Sequence, residues 1–369
     1  RFVAMRSLLI PVQAVGILLI LFSFGSFLPA AALGTDPCAF SAGACTTCSW
    51  SNWACVTNAF GQGFGRFTVN IFTGQWGSVA YGSLVAPATQ FMQWWLPNSI
   101  ELAVAALLFS AVLAYVLGLY AGWRREGGFD ATVRLASVVG LLVPSFLVAV
   151  FVINESYQGI DNTFGQFAGG PFGVIPPTAW LYAHGGIPNW IGLGDNTLPT
   201  GFPLIDGIIH QDWDFEALVL VKVLIQALII AVIYVSIFLR YARNAAAGAA
   251  EETYILAARA RGVSGRTILW RHLGRRVIPI YLLLFGLTLP IYIGTQALVE
   301  AVANDQGVGT LLLVDMTGVR SSGFHIVGGV GNFYQVAIFL LLLLVLAGNL
   351  FADILARFYD PRLAAKEYR

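Results

Sequence analysis

ALVLVKVLIQALIIAVIYVSIFL (Ala217–Leu239), RYARNAAAGAAEETYILAARARGVSGRTILWRHLGRR (Arg240–Arg276) and VIPIYLLLFGLTLPIYIGTQALV (Val277–Val299) follow one another without a break. The outer two stretches are each apolar for the roughly 20 residues that a helix needs to cross the hydrocarbon core of a bilayer. The middle one holds Arg240, Arg243, Arg259, Arg261, Arg266, Arg271, Arg275 and Arg276. Two membrane-length runs around an arginine-rich loop describe a membrane protein, and the positive-inside rule puts that loop, Tyr241–Arg276, in the cytosol.

Four more apolar runs lie outward from this centre: Ser7–Leu28, Leu102–Trp123, Leu135–Ile153 and Phe333–Ala352. Arg1 and Arg6 precede the first, Arg124, Arg125 and Arg134 separate the second from the third, and Arg357, Arg362, Lys366 and Arg369 follow the last. Only Arg66, Lys222 and Arg320 of the 20 basic residues fall elsewhere. Alternate connections therefore carry the charge, and both termini read as cytoplasmic. With 57% hydrophobic and 11% charged residues the chain is a multi-pass membrane protein, and its net charge of +1 gives no reason to expect a nucleic-acid partner. The first run exceeds the apolar region of a signal peptide and reads as a retained span.

The expected fold is an all-α membrane protein with six transmembrane helices and large external loops. Its parts are a cytoplasmic N-terminus with the first span (1–29), an external cysteine-containing loop (30–96), the second and third spans (97–153), and a second external loop (154–216). A core follows (217–358), with the basic loop 241–276 and an external loop 301–332, then a cytoplasmic tail (359–369). Cys38, Cys45, Cys48 and Cys55, the only cysteines, form a C-x6-C-x2-C-x6-C cluster. On an oxidising face they suit two disulfides, with a four-thiolate zinc site as the rival reading. The symmetric spacing favours a nested pairing, Cys38 with Cys55 around Cys45 with Cys48, over the crossed one.

Several kinds of chemistry are missing. The two lysines, Lys222 and Lys366, sit in no Gly-Lys-Ser/Thr context, so the chain has no Walker-type phosphate loop. His184, His210, His272 and His325 show no metal spacing, and no G-x-S-x-G elbow is present. No cofactor is expected, and enzyme readings lose ground. Glu101, Lys222, Glu300 and Asp353 are ionisable groups in or near the spans; each is either functional or within reach of the interface. Glu101 or Glu300 could serve a proton- or ion-coupled carrier, and a non-transporting scaffold is a further possibility.

Within the basic loop, Thr253–Arg261 has helix formers behind Glu251 and Glu252, arginines at its end, and Gly262 where a helix would stop. Small Ala257 and Ala258, flanked by Arg259 and Arg261, would let a partner approach the backbone. The loop resembles the permease signature of ABC importers, Glu-Ala-Ala-x3-Gly with a later Pro, here Leu256-Ala257-Ala258-x3-Gly262 and Pro279. The position of the signature glutamate is held by Leu256. Leu96-Pro97-Asn98-Ser99-Ile100-Glu101, Pro144-Ser145-Phe146, Val299-Glu300 with Gly307-Val308-Gly309, and Asp360-Pro361-Arg362 are similar to the dipeptide/oligopeptide subfamily. Even Gly74-Gln75-Trp76-Gly77-Ser78 has that look.

The resemblance implies a permease subunit in the plasma membrane of a prokaryote. It implies work with a second related permease, two ATPase subunits and an external solute-binding protein, to import peptides or other small oligomeric solutes such as oligosaccharides. Ala257, Ala258, Arg259, Arg261 and Gly262 become candidates for ATPase coupling. Pro144, Ser145, Gln296 and Glu300 become candidates for the wall of the translocation pathway.

Overall fold

The structure is a computed structural model, and the residues it describes are 2–28, 36, 49–81, 84–159, 200–303, 307–310, 312, 324–327 and 332–359. Two compact units divide the chain: residues 1–93 with 311–346, and residues 94–310 with 347–369.

The first unit begins with α1 (Phe2–Phe22), which continues through a π-helical turn at Ser23–Phe27. The stretch expected to be an external loop contains a 21-residue helix, α2 (Trp53–Thr73). Asn52 starts it by accepting a 3.3 Å hydrogen bond from the Cys55 amide, and Gly74, at φ +74°, stops it. Val56, Ala59, Gly63, Phe67 and Ile71 recur at helical spacing and are buried. Phe22 and Phe27 from the end of α1 pack against Phe60, and Phe22 also meets Phe64 and Phe67. Cys55 is disulfide-bonded rather than free, while Cys38, Cys45 and Cys48 lie outside the described residues.

The all-α expectation fails at β1 (Ser78–Tyr81), β2 (Leu84–Pro87) and β3 (Phe324–Val327), which form an antiparallel sheet in the order β2-β1-β3. Ser78 faces Pro87 on one side and Val327 on the other. Strands of four residues give too short an alternation to stand out in a sequence, and β3 lies far along the chain from its partner.

The second unit takes in α3 (Ala88–Trp123) from residue 94 on, with α4 (Gly128–Leu142), α5 (Ser145–Gly159), α6 (Pro203–Ile209) and α7 (Trp213–Ala250). It continues with α8 (Thr253–Ala260) and α9 (Gly265–Val302), the latter carrying a π-helical segment at Ile268–Leu273. The last helix, α10 (Asn332–Tyr359), starts in the first unit and ends in the second.

Among the described residues, four helical stretches are long and apolar enough to cross a membrane: Ala88–Trp123, Lys222–Ala250, Gly265–Val302 and Gln335–Tyr359. The expected third span is broken: Gly128–Leu142 and Ser145–Val152 meet at 83°, because Val143 is extended and Pro144 cannot donate into a continuing helix. Counting that pair as one span gives five, and Leu9–Phe22 in α1 is a shorter apolar helix. The fourth span also overruns its expected end at Leu239, since α7 stays helical to Ala250 through the Ala-rich NAAAGAA stretch.

Small residues bring two of these helices into backbone contact. A Cβ added at Gly118 would lie 2.5 Å from the Ala242 Cβ, and one at Gly122 would lie 2.7 Å from the Arg243 carbonyl oxygen. Close approach through small-x3-small pairs is how helices associate where the hydrophobic effect gives no drive. Tyrosines tie the same region together. Tyr281 donates to the Phe238 carbonyl at 3.1 Å, and Tyr292 donates to the Ala103 carbonyl at 3.2 Å.

Candidate functional site

Two places in the second unit gather the residues that the sequence singles out. The first is the connection between α7 and α9. Here α8 forms as its sequence suggests and ends in a Schellman turn: the Gly262 amide donates to the Arg259 carbonyl at 2.9 Å and the Val263 amide to the Ala258 carbonyl at 3.1 Å. Gly262 has φ +76°, which a residue with a side chain adopts only under strain. Ser264 then opens the next turn by accepting from the Thr267 amide.

The faces of α8 are unequal. Ile255 and Ala258, three positions apart, are buried, while Leu256, Ala257, Arg259, Ala260, Arg261 and Gly262 are exposed. Ala257 therefore presents its small side chain outward, whereas Ala258 packs inward, a distinction that the sequence pair alone does not make. The helix is held from several sides. Glu251 pairs with Arg125, Glu252 pairs with Arg276 at 3.3 Å, and the Arg259 guanidinium stacks 4.2 Å over the Trp123 ring. Partial desolvation, and then the nearby Glu252 carboxylate, push the Tyr254 phenol up from its ordinary value.

Beside this connection is an ion pair the sequence reading overlooks. Asp130, with no exposed surface, accepts from Arg243 Nε and Nη2 at 2.8 Å each, and Arg134 lies 3.4 Å away. The Glu126 amide, on a residue at φ +64°, donates to the same carboxylate. The only hint in the sequence is Asp130 four residues before Arg134, a common helix-surface pattern.

The second place follows the fifth apolar run. Glu300 is 1% exposed and Gln296 5%. Gln296 Nε2 donates at 2.6 Å both to Glu300 Oε1 and to the Ser99 carbonyl. Glu300 Oε2 accepts from the Gly309 amide at 2.8 Å, and Ser99 Oγ accepts from the Val308 amide at 2.9 Å. The chain after α9 thus folds back on the carboxylate, and Gly307 and Gly309 are required because a Cβ at either would lie within 3 Å of Glu300 Oε2. Gln296 and Glu300 come together as expected, joined by Ser99. Among the described residues, no hydrogen bond links Pro144 or Ser145 to them; those two mark the break between α4 and α5. A carboxylate committed to an amide side chain and a backbone amide fixes a fold-back, which argues against Glu300 as an ion-carrying group.

The family model described as "Binding-protein-dependent transport system inner membrane component" matches residues 114–365. The chain belongs to this family. It is a multi-pass inner-membrane permease of an ABC importer, a membrane component and not an enzyme. The match takes in α8, the Asp130–Arg243 pair and the Glu300 fold-back, but not the cysteine loop, β1 or β2. The permease is 27% identical over 302 residues to the probable D,D-dipeptide transport system permease protein of Escherichia coli, covering 81% of this chain and 79% of that one. It is 24% identical over 280 residues to the oligopeptide transport system permease protein AppB of Bacillus subtilis, covering 75% and 72%. It is also 24% identical over 298 residues to the di/tripeptide transport system permease protein DppB of Pseudomonas aeruginosa, covering 78% of each chain.

Proposed function

We propose that this permease forms one half of a peptide translocation pathway, with a second related permease as the other half. Two ATPase subunits bind its cytosolic face and an external binding protein delivers the peptide. The observation that carries this reading is the exposed, arginine-flanked face of α8 within the matched segment: a short helix held rigidly at one end of the bundle, with Ala257 and Gly262 outward, is built to be pushed. Relatives named as peptide permeases support the substrate class. Both termini and the α7–α9 connection are taken as cytosolic from the arginine distribution. Six crossings then require α1 and the bent pair each to cross once. In this scheme ATP and the loaded binding protein need favour the outward-open state by only a few kcal/mol. Pro144 and Ser145 line the pathway at the broken span, while Gln296 and Glu300 frame it from behind.

The test is reconstitution with the ATPases, second permease and binding protein from the same operon. Uptake of a labelled peptide into vesicles that depends on both ATP and the binding protein is expected. Uptake by this chain alone, driven by a proton or sodium gradient, overturns the reading.

The cysteine loop is proposed to be stapled by two nested disulfides, Cys38–Cys55 and Cys45–Cys48, the outer one contributing about 3 kcal/mol in the chain-entropy model. Mass spectrometry of the unreduced protein should find it lighter than the reduced chain by one hydrogen per cysteine, with peptides joined in that pattern. Free thiols or a bound zinc would remove the staple.

A further inference from the structure

The contacts around α8 do not lead only along its own chain into α7 and α9. Trp123, the last residue of α3, lies under the Arg259 guanidinium, and its ring also lies 3.5 Å from where a Cβ on Gly265 would be. Arg125, two residues on, pairs with Glu251 and donates to the Ala247 carbonyl at 3.3 Å. Asp130, in the first turn of α4, holds Arg243 through two bonds in a site without exposed surface. Just behind, Gly118 and Gly122 of α3 lie in backbone contact with Ala242 and Ala246 of α7. The α3–α4 turn and the α7–α9 connection are therefore pinned to each other by one aromatic stack, one exposed ion pair, one buried bidentate pair and one gapless helix crossing.

We propose that the Arg124–Gly127 turn with the helix ends on either side of it is a second half of the coupling element, and that Asp130 is the positioning residue locking it to α7 and α8. The ATPase stroke delivered at α8 then enters the bundle through α3 and α4 at the same moment as through α7 and α9. This rests on the importer reading above. The physical basis is that a force passes without loss only between groups that cannot slide, and a buried bidentate Arg–carboxylate pair fixes both distance and orientation. A single flexible ion pair, such as Glu252 with Arg276, would not do so. Among the described residues, the groups facing Asp130 are Arg243, Arg134 and the Glu126 amide, with no acid competing for the pair.

The experiment uses the whole reconstituted complex. Asp130→Asn is expected to lower peptide uptake by about tenfold while ATP hydrolysis continues and loses its stimulation by the loaded binding protein. That loss of stimulation is a readout that mere loss of protein would not give, because it is a ratio within one preparation. Uptake and stimulation both at parental values in Asp130→Asn overturn the proposal. Should that variant fail to assemble, Arg125→Cys with Glu251→Cys decides the matter. Bridging the two thiols with a short bifunctional reagent is expected to keep ATP-driven uptake at or above that of the unbridged variant, since the two parts move together. Uptake blocked by the bridge shows that they must separate, and overturns the proposal. Absence of ATP-driven uptake in the parent complex would instead strike the importer reading on which this one stands.

Discussion

Gly262→Val is expected to leave the permease in the membrane at its normal level and to abolish uptake. The residue closes α8 at φ +76°, and a side chain in that conformation costs about 1–2 kcal/mol, more for a β-branched one. A Cβ at Gly262 would meet nothing within 4 Å in this chain, so no internal clash adds to the strain. The valine has two courses: it unwinds the Schellman turn, shifting Arg259 and Arg261, or it projects from the face proposed to meet an ATPase. Either one spoils the contact and spares the bundle. Gly262→Asn should keep intermediate activity, because asparagine tolerates the left-handed conformation. Uptake measured in vesicles with equal amounts of assembled complex checks both, and parental uptake by Gly262→Val would end the assignment of α8 to coupling.

Gly309→Val should act in the opposite way, on the amount of folded subunit. The new Cβ would fall 2.3 Å from the Ala297 Cα and 2.7 Å from the Ala297 carbonyl oxygen, both backbone atoms that cannot swing aside. Forcing extra atoms into a packed site costs about 1–3 kcal/mol. Moving the Gly309 amide away from Glu300 removes a donor from a buried carboxylate, a loss of roughly 1.5–3 kcal/mol more. Against a net stability of about 5–15 kcal/mol for a typical domain, the sum is large. We expect strongly reduced membrane levels and a lower thermal midpoint for the purified complex, with Gly309→Ala between this variant and the parent. Parental levels and midpoint for Gly309→Val would show that the fold-back at Glu300 is not held as described.

Charge and hydropathy make much of this molecule readable in advance. The apolar runs beginning at Leu102, Ala217, Val277 and Phe333 correspond to helices, and α8 forms where acidic residues, arginines and Gly262 mark its ends. What stays hidden is direction and distance. Leu135–Ile153 has the same hydropathy straight or bent by 83°, and Pro144 signals a break without giving its angle. Arg243 looks like a loop arginine because its neutralising partner, Asp130, is 113 positions earlier. A longer separation still, 197 and 209 positions, hides Ser99, which meets Gln296 and Val308 across the unit. Ala258 is indistinguishable from Ala257 in composition, and only the phase of the finished helix turns one in and the other out.

The sheet also has a meaning in time. Strand β1 pairs at once with β2, its neighbour in the chain, but its other edge waits for β3, which a ribosome reaches only about 240 residues later. At about 5–20 residues per second, that leaves an unpaired strand edge for roughly 10–50 seconds of synthesis. Throughout the interval four or more apolar helices are being delivered to the bilayer, and the exposed edge can recruit any stray extended segment. When β3 arrives it covers the free edge of β1 and becomes an edge strand itself, so β1 turns from an edge into the centre of the sheet only once residues 324–327 have been made.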